Sequence, residues 1–173
     1  MLVALLASLL LVVGCADNTN TPGSDETSSV ALPESLFLAK APEGAQPITA
    51  LKASAKEGDE VVVRVIVGGT NDPIVQGRAS AAIIDAALAN ACVGEDDHCK
   101  TPWDYCCTAQ EDITANLATL QVIDDAGKVI ATDFASRIKP LTTLIVRGVV
   151  GPRPDPQVLT INATGIHIEA AGQ

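Results

Sequence analysis

Six short runs of strand-forming residues, each bounded by glycine, proline or Asp-containing turns, constrain this chain more than any other feature. Glu60-Val61-Val62-Val63-Arg64-Val65-Ile66-Val67 is the clearest. It is β-branched, alternates at its centre, opens after Gly58-Asp59 and closes at Gly68-Gly69. Thr143-Leu144-Ile145-Val146-Arg147-Gly148-Val149-Val150 is equally strong. Arg78–Asp85 is a second run, weakened by its alanines. Thr119–Ile123 and Val129–Thr132 flank Asp124-Asp125-Ala126-Gly127-Lys128, which reads as a hairpin with Gly127 in a left-handed position. Val158–Ile168 ends the series. It follows Gly151-Pro152-Arg153-Pro154-Asp155-Pro156, a rigid connector that cannot lie inside a strand. Helical signals are weak: Ala86–Ala91, Glu111–Leu117 with Thr108 or Thr114 as cap, and a short turn over Asp133–Lys139. The expectation is all-β, with five or six short strands closed into a small barrel. Gly68-Gly69 and Gly148 are expected to permit the tight coiling that closure needs.

The core of such a barrel must be aliphatic, because the chain has only four aromatic residues: Phe37, Trp103, Tyr105 and Phe134. Net charge is 11 − 21 = −10, with the basic residues scattered singly. A nucleic-acid groove needs clustered cations and stacking aromatics, so nucleic acid is not an expected partner. His98 and His167 are the only histidines, and His167 reads as a strand-face residue. No G-x-S-x-G elbow and no glycine-rich phosphate loop occurs. The expected role is non-catalytic, with no catalytic residues assigned.

The N-terminal end carries a different signal. Residues 2–14 are uncharged and apolar, and Leu11-Val12-Val13-Gly14-Cys15 leads abruptly into the polar Ala16-Asp17-Asn18-Thr19-Asn20-Thr21. A membrane-spanning helix needs roughly 20 apolar residues, whereas a signal-peptide core is shorter. The run resembles a bacterial lipoprotein signal, although no Lys or Arg precedes Lys40. The resemblance implies a signal peptide over 1–14, lipidation of Cys15, and a lipid-anchored protein of the cell envelope. Ala16, in place of Asp, implies the outer membrane, facing the periplasm. A lipidated cysteine and flexible linker over 15–47 then precede the domain, 48–173.

Inside that domain, residues 86–116 form an insertion between the second and third strands, with the spacing Cys92-x6-Cys99-x6-Cys106-Cys107. In an exported protein four cysteines read first as two disulfides, of which three pairings exist. The alternative is a soft-metal site for zinc or copper built from Cys92, His98, Cys99, Cys106 and Cys107, although C-x2-C pairs are absent. A redox-active disulfide is a third reading. Glu95-Asp96-Asp97 offers oxygens to calcium but lacks the EF-hand pattern. Trp103 and Tyr105 either pack over the insertion or face outward as anchors for a partner.

The last two strands resemble the closing hairpin of bacterial OB-fold domains, and Gly58–Val65 resembles their opening strand. Cys99-Lys100-Thr101-Pro102-Trp103-Asp104-Tyr105-Cys106-Cys107 is similar to an insertion in uncharacterised exported bacterial proteins of this OB-like type. The resemblance implies no assigned activity. The resulting expectation is a membrane-anchored binding or structural module, engaging an envelope protein, peptide or glycan. The alternative is a metal-handling or thiol-redox protein.

Overall fold

The computed structural model of the chain describes residues 31–93 and 99–169. Five strands close into a mixed barrel: β1 (Glu60–Val67), β2 (Ser80–Asp85), β3 (Leu117–Gln121), β4 (Thr143–Val150) and β5 (Thr160–Ile168). Around the barrel they run β1-β2-β3-β5-β4, and β4 returns to β1. All neighbours are antiparallel except β3 and β5, which run parallel through Thr119↔Thr160 and Leu120↔Ile161. This is the small all-β, OB-like barrel expected from the sequence.

Alternation explains the interior. Val61, Val63, Val65 and Val67 of β1 point inward, while Glu60 and Arg64 face solvent. Leu144, Val146 and Val150 do the same for β4, and Leu120 for β3. Each fully buried Val, Leu or Ile contributes about 1.5–3 kcal/mol relative to exposure. In β5 the alternation changes phase. Ile161 and Ala163 are buried, then Thr164 is exposed, and Ile166 is buried. A β-bulge opposite Arg147/Gly148 inserts the extra residue that causes the switch. Gly148 is required there, because a Cβ would lie 2.5 Å from the Asn162 carbonyl oxygen.

Several local expectations are corrected. Val129–Thr132 is not a strand, although Gly127 has a left-handed φ of 75° and Ile123 bridges Val129. β3 is already paired with β2 on one edge and β5 on the other, so no edge remains along it for a further partner. Ala86–Ala91 is a turn, because Asp85 Oδ1 takes the Ala87 N–H at 2.9 Å and competes with helix formation. The second helix, α2, spans Gln110–Asn116 and stops at Leu117, which already belongs to β3. Its N-cap is Ala109, with no side-chain cap. Phe134–Ser136 forms the short turn expected before Pro140, as 3₁₀ helix capped by Asp133.

Two pieces of the N-terminal region pack on the barrel. Residues 31–47, the end of the expected linker, dock on the barrel through the apolar Leu36-Phe37-Leu38 run, which the sequence already offered for docking. Leu36 is buried, the Leu38 N–H donates to Ile166 O at 2.8 Å, and Gln46 N–H donates to Val62 O at 2.8 Å. His167 is the strand-face residue expected, with Nδ1 2.9 Å from Leu38 O. A seven-residue helix, α1 (Ile48–Ser54), follows Pro47 and buries Ile48 and Leu51 in the core. Phe134 and Ile138 enter the same core.

Candidate metal centre in the cysteine insertion

The described part of the insertion lies back along the outside of β1 and β2. Ile84 of β2 packs there in a separate small core with Tyr105 and Ile113, flanked by Ile66 and Leu88. β2 is therefore buried on both faces near its end, which explains why Ile83 and Ile84 are both inaccessible. Backbone contact is close. The Gly69 N–H donates to Trp103 O at 2.7 Å, and a Cβ on Gly68 would lie 2.6 Å from that same oxygen. Gly68-Gly69 follows the end of β1, so its role is to admit the insertion rather than to coil the strand as expected.

Short-range hydrogen bonds shape the loop. Pro102 starts a one-turn 3₁₀ helix over Pro102–Asp104, and Tyr105 ends it with a φ of 60°. The Asp104 carboxylate accepts the Cys106 N–H at 2.8 Å and the Thr101 hydroxyl at 2.8 Å. Across the loop, Asn90 donates its side-chain N–H to Pro102 O at 2.8 Å and accepts the Cys92 N–H at 2.9 Å. These two polar residues bring Cys92 to the segment carrying Cys106. Neither was singled out from the sequence. The Thr101-Pro102-Trp103-Asp104 spacing, a hydroxyl three residues before a carboxylate, was the available signal for Asp104.

The sulfurs converge. Cys106 Sγ lies 3.4 Å from Cys99 Sγ, 3.5 Å from Cys92 Sγ and 3.8 Å from Cys107 Sγ. The Cys107 N–H donates to Cys92 Sγ at 3.1 Å. Ligand atoms of Cys92, Cys99, Cys106 and Asp104 all lie within 4.8 Å of one another. Cys92 is buried, Cys99 half-buried, and Cys106 and Cys107 exposed. Burial of Cys92 acts to raise its pKa, but hydrogen bonds from Cys107, Cys106 and Cys99 prevail and hold it below the usual thiol value. Hydrogen bonding with Cys99, Cys92 and Asp104 pushes the Cys106 thiol well above that value. Burial opposes ionisation of Asp104, yet its bonds from Cys106 and Thr101 leave its carboxyl below the ordinary range.

Two disulfides were the first expectation; among the described residues no sulfur pair is at bonding distance, the separations from Cys106 being 3.4–3.8 Å against about 2.05 Å for an S–S bond. The sulfurs surround Cys106 instead of dividing into two bonded pairs. Four sulfurs around zinc at about 2.3 Å would stand about 3.8 Å apart in a tetrahedron. The three separations from Cys106, 3.4–3.8 Å, lie near that spacing, and the four ligand atoms that are all mutually close belong to Cys92, Cys99, Cys106 and Asp104.

The remaining candidates divide cleanly. Tyr105 is fully buried, so it packs and does not serve as an exposed partner anchor. Trp103 is half-buried and its Nε1–H donates to Asn71 O at 2.9 Å, which ties the insertion to the loop after β1. His98, Glu95-Asp96-Asp97 and Cys15 lie outside the described residues. Among the described residues no helix is long and apolar enough to cross a membrane. No protein-family model, curated protein or solved structure matches this chain.

Proposed function

We propose that this protein is a lipid-anchored protein of the cell envelope whose OB-like barrel carries a thiolate site for a soft metal ion, zinc or copper(I). The convergence of Cys92, Cys99 and Cys107 on Cys106 at 3.4–3.8 Å supports the metal reading. The apolar run over 2–14 ending at Cys15 supports the anchor. Thiolate sulfur favours zinc and copper(I) over hard cations such as calcium or magnesium. Cys92, Cys99 and Cys106 supply three ligands. Cys107, or a carboxylate oxygen of Asp104, supplies the fourth that zinc requires. The barrel interior is filled by side chains, so its part is to hold the insertion in place on a rigid wall. The role is metal binding at the membrane surface, without a catalytic step.

Anaerobic titration of the reduced full-length protein with Zn²⁺ and with Cu⁺, against a chromogenic chelator, tests this reading. One metal ion per chain is expected, and Cys106→Ser should weaken binding by more than about 100-fold, the upper range for loss of an outer-shell contact. Four thiols that remain fully reactive in the presence of either metal overturn it. The insertion is then a structural or partner-binding element of a plain envelope module.

A further inference from the structure

We infer that Cys106 is a thiol switch that gates the metal site: oxidation by an external disulfide joins Cys106 to Cys99 or Cys92 and discharges the bound ion. The inference rests on the metal reading for its consequence, but the bond-forming step depends only on the geometry of the sulfurs. Cys106 is exposed, whereas Cys92 is buried and Cys99 half-buried. An incoming disulfide therefore reaches Cys106 before it reaches Cys92. The second thiol needed to complete the exchange is already in place, as Cys99 Sγ is 3.4 Å and Cys92 Sγ 3.5 Å from Cys106 Sγ. Closing either gap to about 2.05 Å moves one sulfur by about 1.4 Å, within reach of side-chain rotation. The wall behind need not move, because Tyr105 and the Trp103 carbonyl are fixed against Ile84 and Gly69. Cys107 is the poorer resolving thiol: it neighbours Cys106 in the chain, and a bridge between adjacent residues closes a strained eight-membered ring.

The exchange balances as two displacements. Cys106 Sγ, a thiolate when it ligates the metal and a thiol that must first give up its proton when the site is metal-free, attacks an external disulfide R–S–S–R, forms Cys106–S–S–R and releases one RS⁻. Cys99 or Cys92 then attacks Cys106 Sγ, forms the internal S–S bond and releases the second RS⁻. Two cysteine sulfurs are each oxidised by one electron, and the external disulfide is reduced to two thiols. In the metal-free protein the two thiol protons end on the two leaving groups. In the loaded protein those protons come from water. A bridge through Cys106 removes two of the three gathered thiolates at once, and the remaining donors cannot complete a zinc site.

The test uses the full-length reduced protein loaded with zinc alone and then exposed to oxidised glutathione. Zinc release is followed with a chromogenic chelator, free thiols are counted, and the bridge is mapped by peptide mass spectrometry. Expected are one zinc released per two thiols lost, a bridge containing Cys106, and recovery of zinc uptake after dithiothreitol. Zinc retained while two thiols disappear, or a bridge that leaves Cys106 free to alkylation, overturns the switch. The metal-free protein is mapped in parallel. If it never binds zinc but still forms the Cys106 bridge, the metal reading fails and the gating role with it, while the bond-forming step stands. In metal-free Cys106→Ser, bridge formation should slow by at least about tenfold. An unchanged rate removes Cys106 from its central place. Far-UV circular dichroism confirms that the barrel is folded in each sample.

Discussion

Tyr105 is held in a left-handed backbone conformation, with a φ of 60°, and its side chain is fully buried. For a residue with a Cβ that conformation costs about 1–2 kcal/mol. It is offset by the ring, which fills the small core beside Ile84 and Ile113. The phenol oxygen finds no hydrogen-bond partner there, and the nearby Thr108 hydroxyl is likewise unpartnered. A buried orphan hydroxyl is destabilising, so Tyr105→Phe should raise stability by about 1 kcal/mol in urea unfolding. Tyr105→Ala should cost about 3–5 kcal/mol, as for other large-to-small core changes, and should loosen the cysteine cluster with it. A Phe variant less stable than the parent would show that the hydroxyl is bonded in solution. Gly68→Ala places a methyl 2.6 Å from the Trp103 carbonyl oxygen. It should cost about 1–3 kcal/mol and make the cysteines more reactive to alkylation, with the β-sheet spectrum intact.

Among the elements, α1 is informative because seven residues are far too few for a helix stable in water. It is held at both ends. The buried Asp85 accepts the Ile48 N–H at 2.7 Å at the N-terminal end. At the other end Arg153 donates to the carbonyls of Leu51 at 3.1 Å, Lys52 at 2.8 Å and Ala55 at 2.6 Å. A carboxylate at the N-terminus and a guanidinium at the C-terminus both complement the helix dipole. Lys52 in turn donates to Thr114 O at 2.6 Å and closes the end of α2. Arg153→Met should cost about 2–3 kcal/mol, since it strips charge-assisted bonds from several carbonyls together. Hydrogen exchange of the Ala55 amide, which bonds to Leu51 O, should accelerate more than that of the β1 amides. Uniform acceleration throughout would place Arg153 in the global core instead. None of this was visible in Ile48–Ser54, because the residues that hold the helix lie 37 and about 100 positions away.

Over the whole molecule, surface charge decides the response to acid. The Arg137 guanidinium hydrogen-bonds Glu34 at 2.6 Å and holds its carboxyl below the ordinary value, and Arg64 does the same to Glu169 at 2.7 Å. A carboxylate whose pKa is lowered on folding stabilises the protein above the unfolded value, about 4.3 for Glu. That contribution is lost as pH falls through the lowered folded value. Both pairs are at the surface, so the effect is modest and screened by salt. Urea midpoints should hold steady from neutral pH to about 5 and fall below about pH 4.3. Arg64→Met should make the acid limb shallower. An acid limb as steep as the parent's would assign it to other carboxylates. At neutral pH the net charge of −10 favours a monodisperse protein in dilute salt.

The alternation in β1 and β4 was legible in the sequence because side-chain period and turn residues are local: each stretch declares which residues face inward and where it stops. The same local reading overstated Val129–Thr132, since pairing depends on which edges remain open once β2 and β5 flank β3. The cysteine spacing marked the insertion as the place where chemistry is concentrated. It did not decide between paired bridges and a cluster around one sulfur. The gathering of the sulfurs rests on Asn90 and Asp104, on the glycines at 68 and 69 that admit the Trp103 carbonyl, and on the packing of Tyr105 on Ile84. Such contacts join residues distant in the chain, and their energy exists only after the barrel has closed.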